Sequence, residues 1–311
     1  MGFLKKILSN LANSDDEFIN LVKANENGEA WAKQEISRLY NSGDQTFLPR
    51  YHRACAVIYK EGAMNGDRTA ILKYARGLAW SGNENESVAW YRKLTDHGDT
   101  DAMLELAFEY CEFGGLPTNP QAENFWIRKA AEAGNAEAQY KLGLECLCDG
   151  NRQESAMWYK KSAEQGNPDG KAGYAKVLTD KLYEHLMQFK KNNISIQEKE
   201  SLAEEIVNLN AIIEDLLIDA LNESELESTV QTAYTDLAML YLRDISPIIS
   251  PHPYRAAFFD YMAYYYFELE FSFKRMKEII QKYNLQVNNA TLQEWQTLTI
   301  DEWASKYGIE I

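Results

Sequence analysis

Small and apolar residues recur at helical spacing through the first half of the chain, and the pattern restarts at a glycine. After Gly134 the small or apolar positions are Ala138, Leu142, Gly143 and Cys146, at four, eight, nine and twelve residues. Those intervals fall on one face of an α-helix. The same template fits Gly98 with Ala102, Leu106, Ala107, Tyr110 and Gly114, and Gly66 with Ala70, Tyr74, Ala75, Leu78 and Gly82. A weaker first copy reads Gly28, Ala32, Ile36, Ser37 and Tyr40, and a fading fifth reads Gly166, Gly170, Tyr174, Ala175 and Leu178. From the other end of the unit, Trp90, Trp126 and Trp158 each stand eight residues ahead of a glycine, at Gly98, Gly134 and Gly166. The pattern predicts two helices and a tight return, repeated, with small residues in the first helix letting the second approach closely. Such an array buries its core only through neighbouring units.

Beyond the fifth unit the periodicity changes. Leu178, Leu182, Leu186 and Phe189 extend one stripe up to Asn192-Asn193. Ser195 with Glu198, and Ser228 with Gln231, each match the capping-box pattern and predict a helix of about 25 residues between them. Inside it Leu202, Ile206, Leu209, Ile213, Leu216 and Ala220 alternate by four and three, a coiled-coil-like seam. That seam serves either as a homodimer strip over 202–220 or as packing against the preceding long helix. Ala233, Leu237, Ala238 and Tyr241 then predict a degenerate helix pair, with Pro247, Pro251 and Pro253 excluding helix from the loop between. The helix that follows carries Phe258, Phe259, Tyr261, Tyr264, Tyr265, Tyr266, Phe267, Phe271 and Phe273 around its circumference. It is either buried on several sides or offers tyrosines to a partner. Trp295, Leu298, Trp303 and Tyr307 predict a closing cap, and Phe3, Leu4, Ile7, Leu8 and Leu11 a short amphipathic N-terminal helix over the first repeat. Three regions follow: 1–27 as N-terminal cap, 28–180 as repeat array, 181–311 as a divergent acidic helical region.

The formal net charge of −15 is unevenly spread. Residues 1–180 hold 26 acids against 21 bases, and residues 181–311 hold 21 against 11, most of that excess lying between Glu198 and Glu227. An acidic field repels nucleic-acid phosphates and speeds encounter with a basic protein surface. No apolar run reaches the roughly 18 residues of a membrane span, and no secretory h-region follows the start. The expected location is cytoplasmic, and unpatterned Cys55, Cys111, Cys146 and Cys148 fit reduced thiols there. Phosphate-loop, nucleophile-elbow and His-Glu-x-x-His motifs are absent from the sequence, and His52, His97, His185 and His252 are scattered. The sequence therefore points away from catalysis, cofactors and metals.

Tyr110-Cys111-Glu112-Phe113-Gly114-Gly115-Leu116-Pro117-Thr118-Asn119, with Phe125-Trp126-Ile127-Arg128-Lys129-Ala130-Ala131-Glu132-Ala133-Gly134 after it, resembles the Sel1-like repeat, a relative of the tetratricopeptide repeat. The resemblance covers roughly residues 28 to 180. Shortened loops at 81–86 and 149–154, and Ile58 in place of a tryptophan, depart from the family pattern. The resemblance implies an all-α, right-handed α-solenoid of helix pairs whose first helices line a concave groove. Its groove positions, three, six, ten and thirteen after the opening glycine, fall here on Asp101, Leu104, Phe108 and Cys111, and on Glu137, Tyr140, Leu144 and Leu147. In the first two units they offer Trp31, Gln34, Arg38, Thr69, Leu72 and Arg76. Trp31, Arg38, Arg76, Leu104, Phe108, Tyr140 and Leu144 are thus the candidate partner-binding residues. The function expected is a non-catalytic protein-binding module, of the kind that includes bacterial immunity proteins neutralising a toxin or effector with a basic surface. Alternatives are a cytosolic adaptor or self-associating scaffold in a regulatory complex, and a hydrolase with its site near His185 and His252.

Overall fold

The computed structural model describes residues 15–191, 193–241 and 252–306. Among them every regular element is a helix. In chain order these are α1 (Asp15–Glu26), α2 (Ala30–Tyr40), α3 (Phe47–Met64), α4 (Arg68–Ala79), α5 (Glu84–Thr95), α6 (Thr100–Glu109), α7 (Pro120–Glu132) and α8 (Ala136–Cys148). They continue as α9 (Arg152–Glu164), α10 (Pro168–Phe189), α11 (Ile196–Glu223), α12 (Glu227–Tyr241), α13 (Pro253–Phe267), α14 (Glu270–Tyr283), α15 (Asn289–Trp295) and α16 (Ile300–Lys306). None of the described helices is long and apolar enough to cross a membrane. The chain divides into two compact units, Met1–Ala138 and Gln139–Ile311, with the division inside α8. The expected N-terminal helix through Phe3 to Leu11 lies outside the described residues, as do Pro247, Pro251 and Tyr307.

The repeated glycine followed by Asp or Asn explains how each pair closes. Gly66 and Gly98 both sit at φ +84°, where a β-carbon is strained, and so end one helix in the left-handed region. The next residue starts the following helix: the side chains of Asp67 and Asp99 accept hydrogen bonds from the amides of Ala70 and Ala102. Asn135 does the same for Ala138, and Asn167 for Gly170. Each such cap is worth about 1 kcal/mol. Behind the caps, the predicted stripe is buried: Ala70, Tyr74, Ala75 and Leu78 in α4, and Ala102, Leu106 and Ala107 in α6. Tyr91 from α5 joins Leu72, Ala75, Ala102 and Leu106 in one core cluster of the first unit.

In the second unit Ala175, Leu178, Leu182 and Leu186 line α10 and pack in one cluster with Ile206, Leu209, Ile213 and Leu217 of α11. The seam of α11 is therefore filled by α10 and by Leu237 and Ala238 of α12, so it is not a homodimer strip. Burying these branched side chains within one chain removes the surface a second copy would need. Ser195 and Glu198 form both arms of the predicted capping box. Ser228 forms none: α12 begins at Glu227, because the helix ends at Ser224, whose Oγ accepts from the Leu226 amide at 3.1 Å. Phe258, Phe259 and Tyr261 of α13 are buried, and Trp303 stacks on Phe258 at 4.3 Å while Trp295 meets it edge-on at 5.6 Å. The two tryptophans close this core as the sequence predicts. Tyr265 and Tyr266 at the far end of α13 stay exposed, and Phe271 and Phe273 lie on α14 and not on α13, because the chain turns at Glu268, whose φ is +53°.

Candidate partner-binding surfaces

Cations in the first unit are used to hold one helix pair to the next. Arg68 of α4 forks onto Asp99, at 2.5 and 2.8 Å, and reaches Asp101 of α6 at 3.0 Å. Arg76, two turns further along α4, places Nε 2.8 Å from Glu109 and Nη2 3.0 Å from Glu105. Glu109 is 0% exposed and also accepts from the Gly115 amide at 2.9 Å and the Tyr91 hydroxyl at 3.3 Å. With three donor groups around it, the buried carboxylate is satisfied rather than orphaned. Burial pushes the Glu105 carboxyl above the usual carboxylate range, against the pull of Arg76. In the other direction, Lys73 of α4 pairs with Glu26 of α1, which also accepts from the hydroxyls of Tyr51 and Tyr59. Burial works to raise the Glu26 carboxyl, but Lys73 and the two hydroxyls outweigh it and hold it below the usual range.

Against that frame the predicted binding residues of the first unit separate into two groups. Arg76 is half-buried and spans two acids of the next pair, so its fork is engaged within the chain. Arg38 is exposed but bonds both oxygens of Glu35 on its own helix, at 2.9 and 2.6 Å. Trp31 is exposed, its indole N–H donating to Glu29 at 2.6 Å. Leu104 is half-buried, while Phe108 is 52% exposed and Phe113, in the loop after α6, is 75% exposed. The loop itself is fixed, since Leu116 donates its amide to the Glu109 carbonyl and Asn119 donates to that of Tyr110. Phe108 and Phe113 therefore stand out from backbone that is held in place.

In the second unit Tyr140 is half-buried with its ring centroid 5.9 Å from that of Tyr159, and Leu144 one turn on is exposed. Tyr159 is buried between two glycines: a β-carbon on Gly143 would lie 2.7 Å from its ring, and one on Gly173 2.6 Å. Burial pushes the Tyr159 hydroxyl up to about 12. Lys171 of α10 bonds Asp219 and Glu223 of α11, at 3.1 and 2.5 Å, and Arg255 of α13 bonds Glu214 at 2.8 Å. His185 faces Glu205 at 3.2 Å between α10 and α11, and His252 lies edge-on to Tyr241 at the start of α13. Among the described residues, no group of three or more His, Cys, Asp or Glu is arranged to hold a metal ion. The sequence does not reveal which acid each cation takes, because those partners stand some 30 to 50 residues away and the repeat template says nothing about them. The alternation of Arg and Lys on α4 with acids on α1 and α6 was the available signal.

The fold and its surfaces define an all-α protein built of successive helix pairs. No family model matches the chain. Among curated proteins it is 32% identical over 92 residues to an F-box protein of Arabidopsis thaliana, and 29% identical over 119 residues to chitin synthase regulatory factor 3 of Schizosaccharomyces pombe. Those matches span 30% and 36% of this chain, and 25% and 13% of the two relatives. A Sel1 repeat protein from Oxalobacter formigenes aligns over 88% of this chain and 99% of its own, at 20% identity and a TM-score of 0.45. A protective antigen of uropathogenic Escherichia coli displaying an SLR fold aligns over 97% and 80%, at 17% identity and a TM-score of 0.30.

Proposed function

We propose that this chain is a non-catalytic protein-binding module that takes its partner on the outward side chains of the first helices. The observation that carries this reading is Phe108, a large ring left exposed on a helix whose other face is fully packed. Within the first unit Leu104 and Trp31, and within the second, as a patch of its own, Leu144 and Tyr140, supply further apolar contact of the kind that dominates protein interfaces. Arg38 and Arg76 frame the surface rather than anchor it, since their forks are already taken. With a net charge of −15, the partner of choice is a basic protein, and the finer reading is an immunity-type inhibitor that neutralises a basic toxin or effector. The regulatory-adaptor reading draws its support from the yeast relative, whose name describes a regulatory factor.

The test is capture from a lysate of the source cells by immobilised wild-type protein, beside Phe108→Asp and the pair Tyr140→Ala with Leu144→Ala. A basic protein retained by wild type, released by raised salt and lost at least tenfold in Phe108→Asp with an unchanged melting temperature is the expected result. If the variants keep the partner, or melt earlier while keeping it, these side chains are core and the reading fails.

A further inference from the structure

The outward face of α11 is the strongest remaining feature of the molecule. Its buried face is spent on α10 and α12, through Ile206, Leu209, Ile213, Leu217 and Ala220. On one flank of that face Ala203, Val207 and Ala211 follow one another at four-residue steps, with Ile196 seven residues before Ala203 and Glu200 on the same line between them. Ile196 is 72% exposed and Val207 49% exposed, and a surface depression runs over Ala203, Glu204, Val207, Asn208 and Ala211. Glu200 stands within the line and Glu204 and Asp215 border it; all three are exposed, and none of them forms an ion pair among the described residues. Over the whole of α11 eight acids face one base, Lys199, and that lysine lies over the Phe189 ring at 5.9 Å.

We infer that this face is a docking surface for a cationic amphipathic helix of a partner protein, a surface separate from the first-helix residues proposed above. The argument is one of complementary pattern. A shallow apolar strip of about two turns, Ala203 to Ala211, matches the stripe of an amphipathic helix, and the carboxylates in and beside the line match lysines or arginines flanking that stripe. With Ile196 beyond Glu200 included, the face runs about 22 Å to Ala211 at the helical rise, enough for a partner of roughly 16 residues. The carboxylates are poorly matched by any other occupant. They repel nucleic acid and anionic headgroups, and a second copy of α11 would set acid against acid.

A fluorescein-labelled 18-residue peptide with leucine at every a and d position and lysine on both flanks provides the probe, with a scrambled peptide of the same composition as control. Anisotropy titration of the full-length protein is expected to give saturable binding of the ordered peptide at least tenfold tighter than the scrambled one. Val207→Glu, and separately Glu200→Lys with Glu204→Lys, are expected to weaken it at least tenfold at an unchanged melting temperature. Hydrogen exchange of the wild-type complex is expected to show protection over residues 196–218. Equal binding of both peptides, indifference to the α11 variants, or protection confined to other helices overturns the proposal. Phe108→Asp, which tests the first-helix surface, is expected to leave peptide binding unchanged, so the two readings fail separately.

Discussion

Glu109 shows how a single side chain can fix the geometry of two helix pairs. It is enclosed, yet its oxygens meet the Arg76 guanidinium, the Tyr91 hydroxyl and the Gly115 amide, so desolvation is offset by charge-assisted hydrogen bonds. Glu109→Ala leaves Arg76 with Glu105 alone and strands two buried donors. A loss of about 3 kcal/mol in urea unfolding is expected, whereas Glu112→Ala, in the exposed loop, should change stability little. His52 makes a second residue-scale case. Its ring stacks on Trp80 at 5.3 Å, and burial followed by the nearby Arg76 charge lowers its pKa to about 4. The unfolded chain then binds more protons between pH 6.5 and 4, so this contribution to stability is full above pH 6.5 and drains as pH falls. Measured by denaturant midpoints, wild type is expected to lose on the order of 2 kcal/mol relative to His52→Phe across that window. Parallel curves would show that the ring is not held neutral.

At the scale of elements, the closest approach in the second unit is set by glycine rather than by large side chains. Replacing glycine by alanine in a helix interior ordinarily stabilises it by about 0.5–1 kcal/mol. At Gly173 the added carbon would lie 2.6 Å from the Tyr159 ring, which is enclosed and has nowhere to withdraw. Overpacking wins, and Gly173→Ala is expected to cost about 1–3 kcal/mol by thermal unfolding, with part recovered in the Tyr159→Leu background. This element was legible beforehand in part. The glycine-to-alanine-to-leucine intervals located the buried stripe of α4, α6 and α10, because a period of 3.6 records which face is dry. The start of α12 departs from its motif, since Ser228 with Gln231 matches a capping box while the helix begins one residue earlier, at Glu227, after the turn at Ser224. A local motif cannot report which of two nearby serines meets the tertiary packing that sets a helix boundary.

At the scale of the whole molecule, charge is the property that composition foretold only as a total. The −15 is a sum that pairing leaves unchanged, but pairing decides where the excess faces: Arg68, Arg76 and Lys73 in one unit, Lys171, Arg255 and Arg275 in the other, each meet carboxylates of a neighbouring helix. Acids such as Glu200 and Glu204 are left facing water without a counterpart. The sequence made the all-α repeat architecture readable because that architecture is periodic. It concealed the surfaces because a surface is defined by what remains after long-range pairing, and those pairs obey no period. Arg76 and Phe108 occupy equivalent template positions in adjacent units, yet one is tied down and the other stands free to touch a partner.

The forward and backward reach of α4, to Glu105 and Glu109 on one side and to Glu26 on the other, gives its hairpin a distinct address. A deletion of that hairpin would join ends whose charges do not match, leaving the enclosed Glu109 carboxylate without its guanidinium. Gene-level shuffling, by which tandem proteins commonly change length, is consequently closed to this stretch: its modules look interchangeable in outline and are ordered like keyed parts.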